Sequence, residues 1–248
     1  MKFFGDKYML YRYTDTRFRI CYLKDVKKSG FEEVAPKKTT FPTTDKDEIS
    51  RVSLSRTKRN IKEICLCNSF THFATLTINS QLCDRFSLQA CQDKLKYLIK
   101  ERIRRNNKDF AYIFITEKHK NGAFHFHGLV KGCENELYKN QNGFLSIKAF
   151  DELGFNSFLP IKLYDKNSYE KVCNYITKYI TKDCIKNENN QIYISSRGLK
   201  KAEKYEIEAT NFTNWSYEND YCKIKDFDFS TNDYDEDYLI FSKIIEKC

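Results

Sequence analysis

The sequence predicts a mixed α+β fold: an antiparallel β-sheet of about five strands backed by helices, with an N-terminal hairpin arm and an acidic C-terminal extension. Three observations carry this expectation. Short runs rich in β-branched and aromatic residues alternate with two stretches of helical periodicity. An Asn121-Gly122 pair, a strong hairpin turn, joins two of those runs and makes them antiparallel neighbours. Charge is divided unevenly: after Ala202 there are 12 acidic and 5 basic residues, whereas residues 1–202 carry 38 basic and 22 acidic ones.

Taken in order, residues 11–24 alternate aromatic or aliphatic side chains (Tyr11, Tyr13, Phe18, Ile20, Tyr22) with basic ones, as a hairpin arm would. From Ser29 to Asn60 polar and basic residues dominate and two prolines occur (Pro36, Pro42), which reads as a linker or loosely ordered arm. Phe73 to Ile78 reads as a β-strand. A helix follows, with Leu88, Cys91, Leu95, Leu98, Ile99 and Ile103 at helical spacing and a basic far end (Lys100, Arg102, Arg104, Arg105). Phe110 to Thr116 is a second strand, and the Asn-Gly turn leads into a third. Phe158 to Tyr164 offers a further strand. A second helix starts near Asn167 or Ser168 with Glu170 in its first turn. Gln191 to Ser195 is a last short strand. This order suggests a plait related to the ferredoxin-like folds. The expected organisation is an arm and linker over 1–69, a catalytic or binding domain over 70–202 and an acidic extension over 203–248.

With 248 residues, 41% of them hydrophobic and 15% aromatic, the chain can bury one generous core with a small appendage. It has no apolar run of about 18 residues, so no membrane span is expected. The N-terminus turns charged too early for a secretory segment, and the expected location is the cytoplasm of a bacterial host cell. Ten scattered cysteines without a Cys-x-x-Cys pair suggest buried reduced thiols rather than a disulfide framework. A net charge of +9, concentrated in the body, points to a polyanionic partner, nucleic acid first. The acidic end (Asp226, Asp228, Asp233, Asp235, Glu236, Asp237) fits either a solvated flank or an internal mimic of that polyanion. No P-loop pattern is present, so any ATP-driven step falls to a partner.

Two constellations carry chemistry. The first is Phe124-His125-Phe126-His127: on a strand both imidazoles leave one face and both phenylalanines the other. Strand parity puts Glu117 at the end of the neighbouring strand, where it can join the histidines. His119 is a competing third ligand nearer the turn. Two imidazoles and a carboxylate leave open positions around a divalent ion such as Mg²⁺ or Mn²⁺. The bland alternative is a pair of ordinary half-buried histidines. The second constellation is Tyr175-Ile176-Thr177-Lys178-Tyr179-Ile180-Thr181-Lys182, a doubled Tyr-x-x-Lys unit. Tyr175 and Tyr179 lie one helical turn apart beside an apolar stripe of Val172, Ile176 and Ile180, with Lys178 and Lys182 further round. A neighbouring ammonium lowers the cost of ionising a phenol, which otherwise titrates near 10. An amphipathic helix with wet tyrosines is the alternative. Arg197 in Ser196-Arg197-Gly198-Leu199, and Arg102, Arg104 and Arg105, are candidate DNA contacts or solvated surface.

His125-Phe126-His127 resembles the HUH motif (His, bulky hydrophobe, His), and Tyr175-x-x-Lys178-Tyr179-x-x-Lys182 resembles the active-site helix of the two-tyrosine members of that superfamily. Phe73-Ala74-Thr75-Leu76-Thr77 is similar to their upstream strand motif, and Ser196-Arg197-Gly198-Leu199 to a downstream segment. Over about residues 70–200, roughly half of the chain, the order and gaps resemble rolling-circle replication initiators of small single-stranded-DNA phages and related plasmids. The resemblance implies the HUH palm fold and a metal-dependent, site-specific nickase acting on single-stranded or supercoiled origin DNA. One tyrosine would form a 5′-phosphotyrosine and free a 3′-OH, and the second would rejoin the strand. A host helicase and DNA polymerase would be partners. Two readings compete with it: a non-catalytic single-stranded nucleic-acid-binding module, and a relaxase or transposase using the same chemistry. The oligomeric state is not legible in the sequence.

Overall fold

The computed structural model describes residues 4–15, 17–27, 51–105, 107–162, 166–180, 193–208 and 239–246. In chain order its elements are β1 (Phe4–Arg12), β2 (Arg17–Lys27), α1 (Arg51–Asn68), β3 (His72–Thr77), α2 (Leu88–Leu98), β4 (Ala111–Lys118), β5 (Phe124–Lys131), β6 (Leu137–Lys139), β7 (Leu145–Ile147), β8 (Asn156–Pro160), α3 (Lys166–Ile176), β9 (Tyr193–Ser195), β10 (Glu203–Glu208) and β11 (Leu239–Glu246). The mixed α+β class with antiparallel sheets is the one the sequence predicts. Met1–Thr44 together with Lys201–Cys248 make one compact unit, and Asp45–Lys200 the other. Most of the proposed linker (28–50), the acidic residues named above in the C-terminal extension and Lys182 lie outside the described residues.

In the first unit β1 and β2 form the expected hairpin. Its turn closes where Tyr13 N donates to Arg17 O at 2.9 Å and Arg17 N donates to Thr14 Oγ1 at 3.0 Å. Leu10, Phe18, Ile20 and Cys21 are buried. The hairpin is not a lone arm: β10 and β11 extend it to a four-stranded sheet in the order β10-β1-β2-β11. Two strands far apart in the sequence thus bracket it, one of them tied by an Arg12–Glu203 ion pair at 3.4 Å.

The second unit is built on a five-stranded sheet in the order β8-β3-β5-β4-β9, with every neighbouring pair antiparallel. Alternation assigns its faces. Ala74, Leu76, Phe114, Phe124, Phe126, Val130 and Phe158 point one way and pack with Cys91, Leu95 and Leu98 of α2. The helix starts at Ser87, whose hydroxyl accepts from Ala90 N at 3.3 Å. The expected single helix changes character after Leu98 into a π-helical turn, Ile99–Ile103, which still buries Ile99 and Ile103. Ile113, Ile115 and Leu129 are buried on the opposite face, the one that carries the histidines.

Two segments depart from the sequence reading. Residues 51–68 are an 18-residue helix rather than linker up to Asn60. The basic composition masks a helical stripe, Leu54, Ile61 and Cys65, which is the buried side. The α1 C-terminus is clamped by Asn68, whose amide donates to Ile64 O at 2.7 Å and Lys200 O at 2.9 Å while its carbonyl accepts from Lys200 N at 3.0 Å. The second departure is at the tyrosines: α3 ends at Ile176 and continues as a 3₁₀ turn, Thr177–Tyr179.

Tyr169 locks α1, α3 and the entry to β3. Its buried hydroxyl donates to Cys65 O at 2.7 Å and accepts from Phe70 N at 2.9 Å. Tyr169→Phe strands a buried N–H and a buried carbonyl, and it is expected to cost about 1–3 kcal/mol. Urea denaturation of the full chain measures this, and an unchanged midpoint contradicts the lock.

Candidate active site

The register of three strands assembles the site. Thr77 pairs with His125, which pairs with Glu117, so the three stand in one row across β3, β5 and β4; Thr75, His127 and Ile115 form the next row. Alternation turns all six side chains to one face. Glu117 reaches diagonally to the next row, where its Oε2 lies 2.8 Å from His127 Nε2. The same oxygen lies 3.4 Å from His119 Nε2, and the His119 ring stacks on His125 with centroids 3.8 Å apart. Glu117, His127 and His119 are therefore in direct contact, and His125 is one stacked ring away. Gly128 makes this packing fit, because a Cβ there would lie 2.2 Å from the Phe114 ring and 2.6 Å from Ile113 O.

The threonines are contributors that sequence reasoning overlooked, since Thr77 read as fold alone. Thr77 Oγ1 lies 3.2 Å from His125 Nδ1 and Thr75 Oγ1 lies 3.4 Å from His127 Nδ1. The signal was present as Thr-x-Thr facing His-x-His on the paired strand. A partner on Nδ1 orients a ring and leaves Nε2 for a ligand. Burial, reinforced by the like charges of His119 and His127, pushes His125 down to about 4. Burial also lowers His127, against the opposing pull of Glu117. Both imidazoles are thus neutral at neutral pH. Two neutral imidazoles and a carboxylate, with threonines behind them, fit a divalent cation.

The tyrosines arrive from α3 and its 3₁₀ extension. The Tyr179 ring stacks on His127 with centroids 3.8 Å apart and an interplanar angle of 10°. Tyr179 Oη donates to Tyr175 Oη at 2.9 Å, and the two rings meet edge to face at 5.5 Å. Phe73, on β3, supports Tyr175 from 5.7 Å. Tyr175 is 45% exposed. Lys178 Nζ lies 5.3 Å from the Tyr175 ring centroid. Burial and the hydrogen bond to Tyr175, with the charge of Glu117 adding, hold the Tyr179 phenol above its ordinary value.

The structure does not gather every sequence candidate here. Arg197 leaves β9 beyond Ser195, which pairs with Ile113, so it heads away from the Glu117 end of β4. Arg102 and Arg105 follow α2 on the opposite side of the sheet and pair with Glu152 at 3.3 Å and Glu101 at 2.7 Å; Arg104 belongs to the same segment. Arg85, which the sequence did not single out, stands in the loop before α2. Its carbonyl accepts from Phe124 N at 2.8 Å, its positive charge acts on His125, and its buried Nε has no hydrogen-bond partner. A separate group with metal-ligand geometry, His72, Cys133 and Glu134, has its donor atoms within 4.8 Å of one another.

No curated protein and no solved structure matches this chain. Among the described residues no helix is long and apolar enough to cross a membrane. Residues 71–184, which contain β3, both histidines, Glu117 and both tyrosines, match the family described as replication-associated protein ORF2 (gene 2 protein), a match that implies interaction with DNA and is consistent with a rolling-circle replication initiator.

Proposed function

We propose that this protein starts rolling-circle replication by nicking and rejoining single-stranded DNA at an origin, through a covalent 5′-phosphotyrosine. The observation that carries the reading is the Tyr179 ring lying 3.8 Å over His127, with Tyr175 hydrogen-bonded beyond it. The candidate nucleophiles thereby meet the candidate metal ligands, which come from a different part of the chain.

A divalent ion, Mg²⁺ or Mn²⁺, held by Glu117, His125 and His127 with His119 adjacent, supplies Lewis-acid polarisation of the scissile phosphate. Tyr175 is the first nucleophile. It is the more exposed phenol, it accepts the Tyr179 hydrogen bond, and the Lys178 ammonium near its ring favours the phenolate. Its oxygen forms the new bond to phosphorus as the bond to the 3′-oxygen breaks. The phenolic proton is given up to solvent and the departing 3′-oxygen gains one, which leaves a 3′-OH for a polymerase. Arg85 adds positive charge beside His125 for the phosphate. Phosphodiester bond energy is conserved in the tyrosine ester, so the step needs no ATP, and Tyr179 serves the second transfer that closes the strand. Supercoiled or single-stranded origin DNA is the substrate, with a host helicase and polymerase acting after the nick.

Incubation of the full chain with a labelled single-stranded origin oligonucleotide and Mn²⁺, followed by a denaturing gel, tests this. Wild type is expected to give a covalent adduct that EDTA abolishes; salt-sensitive binding that ignores EDTA and never becomes covalent identifies a non-catalytic binding module instead. Tyr175→Phe is expected to lower adduct formation about tenfold more than Tyr179→Phe, and the double variant to form none. Adducts in the double variant would assign the nucleophile elsewhere. Glu117→Ala is expected to lower the adduct rate at least about 100-fold at fixed Mn²⁺, with partial recovery at higher metal; an unchanged rate removes Glu117 from the site.

A further inference from the structure

We infer that His72, Cys133 and Glu134 form a second metal site, separate from the histidine–tyrosine cluster and built for a borderline-soft divalent ion of the zinc class. The three donors come from two places that the sheet brings together. His72 opens β3 and pairs with Val130 near the end of β5, and Cys133 and Glu134 stand in the turn that follows β5. The His72 Nδ1 lies 3.4 Å from Cys133 Sγ, and the donor atoms of all three residues fall within 4.8 Å of one another. Ideal tetrahedral zinc, with bonds of about 2.0–2.3 Å to nitrogen and sulfur, sets those two donors about 3.6 Å apart. The nitrogen–sulfur edge is therefore already at coordination distance.

Hydrogen bonding alone leaves this cluster overfilled on one atom. Thr71 Oγ1 lies 2.9 Å from the same Nδ1 and 3.0 Å from Glu134 Oε1. A ring nitrogen has one lone pair or one proton in its plane, so it cannot fully serve both a hydroxyl and a thiol. A cation among nitrogen, sulfur and carboxylate oxygen serves all of them, with the Thr71 hydroxyl or a water at the fourth corner. Thiolate and imidazole select zinc over magnesium or manganese, which prefer oxygen. Coordination replaces the S–H bond with a metal–sulfur bond and releases that proton to solvent.

The backbone prepares the site. Gly132 has φ +68°, and a Cβ there would lie 2.5 Å from Asp109 O, so the turn that delivers Cys133 needs glycine. Asn107 Nδ2 donates to Gly132 O, and Glu136 N donates to Cys133 O at 2.9 Å. His72 and Cys133 are buried, and Glu134 is exposed at the mouth. His72 lies five residues along β3 from Thr77, about 17 Å, and alternation puts it on the other face of the sheet from the catalytic candidates. The ion would tie the start of β3 to the end of β5, the two strands that carry the threonines and histidines. This inference does not depend on the nicking reading.

Cobalt(II) titration of the metal-free full chain, followed by absorption spectroscopy, tests the site. The expected result is a thiolate-to-cobalt charge-transfer band in the near ultraviolet that Zn²⁺ displaces. It should persist in a His125→Ala, His127→Ala double variant and vanish in Cys133→Ser. Because a change at buried Cys133 can disturb folding, Glu134→Gln at the exposed ligand gives a second readout: the Co²⁺ dissociation constant should rise at least about tenfold with the band retained at saturation. Absence of the band in wild type, its survival in Cys133→Ser, or unchanged affinity in Glu134→Gln overturns the assignment.

Discussion

Everything at the candidate site depends on the antiparallel register of β3, β5 and β4. With Thr77 opposite His125 and His125 opposite Glu117, threonine, imidazole and carboxylate share one face, and the phenylalanines that flank the histidines enter the α2 core. A slip of one residue in β5 would turn both histidines into that core and bring Phe124 and Phe126 out. The burial of these phenylalanines therefore fixes where the histidines stand. Core packing and chemistry are specified by the same alternating run of residues.

The legibility of this fold follows the distance between interacting residues along the chain. Glu117 and His127 are ten residues apart across a recognisable Asn-Gly hairpin, so parity alone proposed their meeting. Thr75 and Thr77 face the same histidines from 48 to 52 residues away, and their role emerges only when β3 is known to neighbour β5. The same holds for His72 and Cys133, 61 residues apart, and for β10 and β11, which complete the sheet begun by the N-terminal hairpin. The α1 helix was hidden for another reason. Its exposed face is basic enough that composition resembled a linker, although Leu54, Ile61 and Cys65 already held helical spacing.

The paired tyrosines illustrate how a local deviation becomes geometry. An unbroken α-helix would present Tyr175 and Tyr179 as near repeats on one face. The change to a 3₁₀ turn after Ile176 accompanies an arrangement in which one ring lies flat on His127 and the other meets it at 88°. Sequence symmetry in the doubled Tyr-x-x-Lys unit is thus not matched by environment: one phenol is stacked in the site and the other stands half in solvent.

At Gly128 the Phe114 ring rests on the peptide from the α2 side, one residue from His127, whose imidazole leaves the other face. The sheet there is a single backbone thick, with no side chain to absorb displacement. Phe114 also meets Phe150 edge to face at 6.4 Å. Strain imposed on these aromatic rings would reach the imidazole as a shift of its own peptide. Substitutions deep in the hydrophobic layer can thereby impair the opposite face while the protein stays folded, and an alteration that resembles a packing defect would register as lost activity.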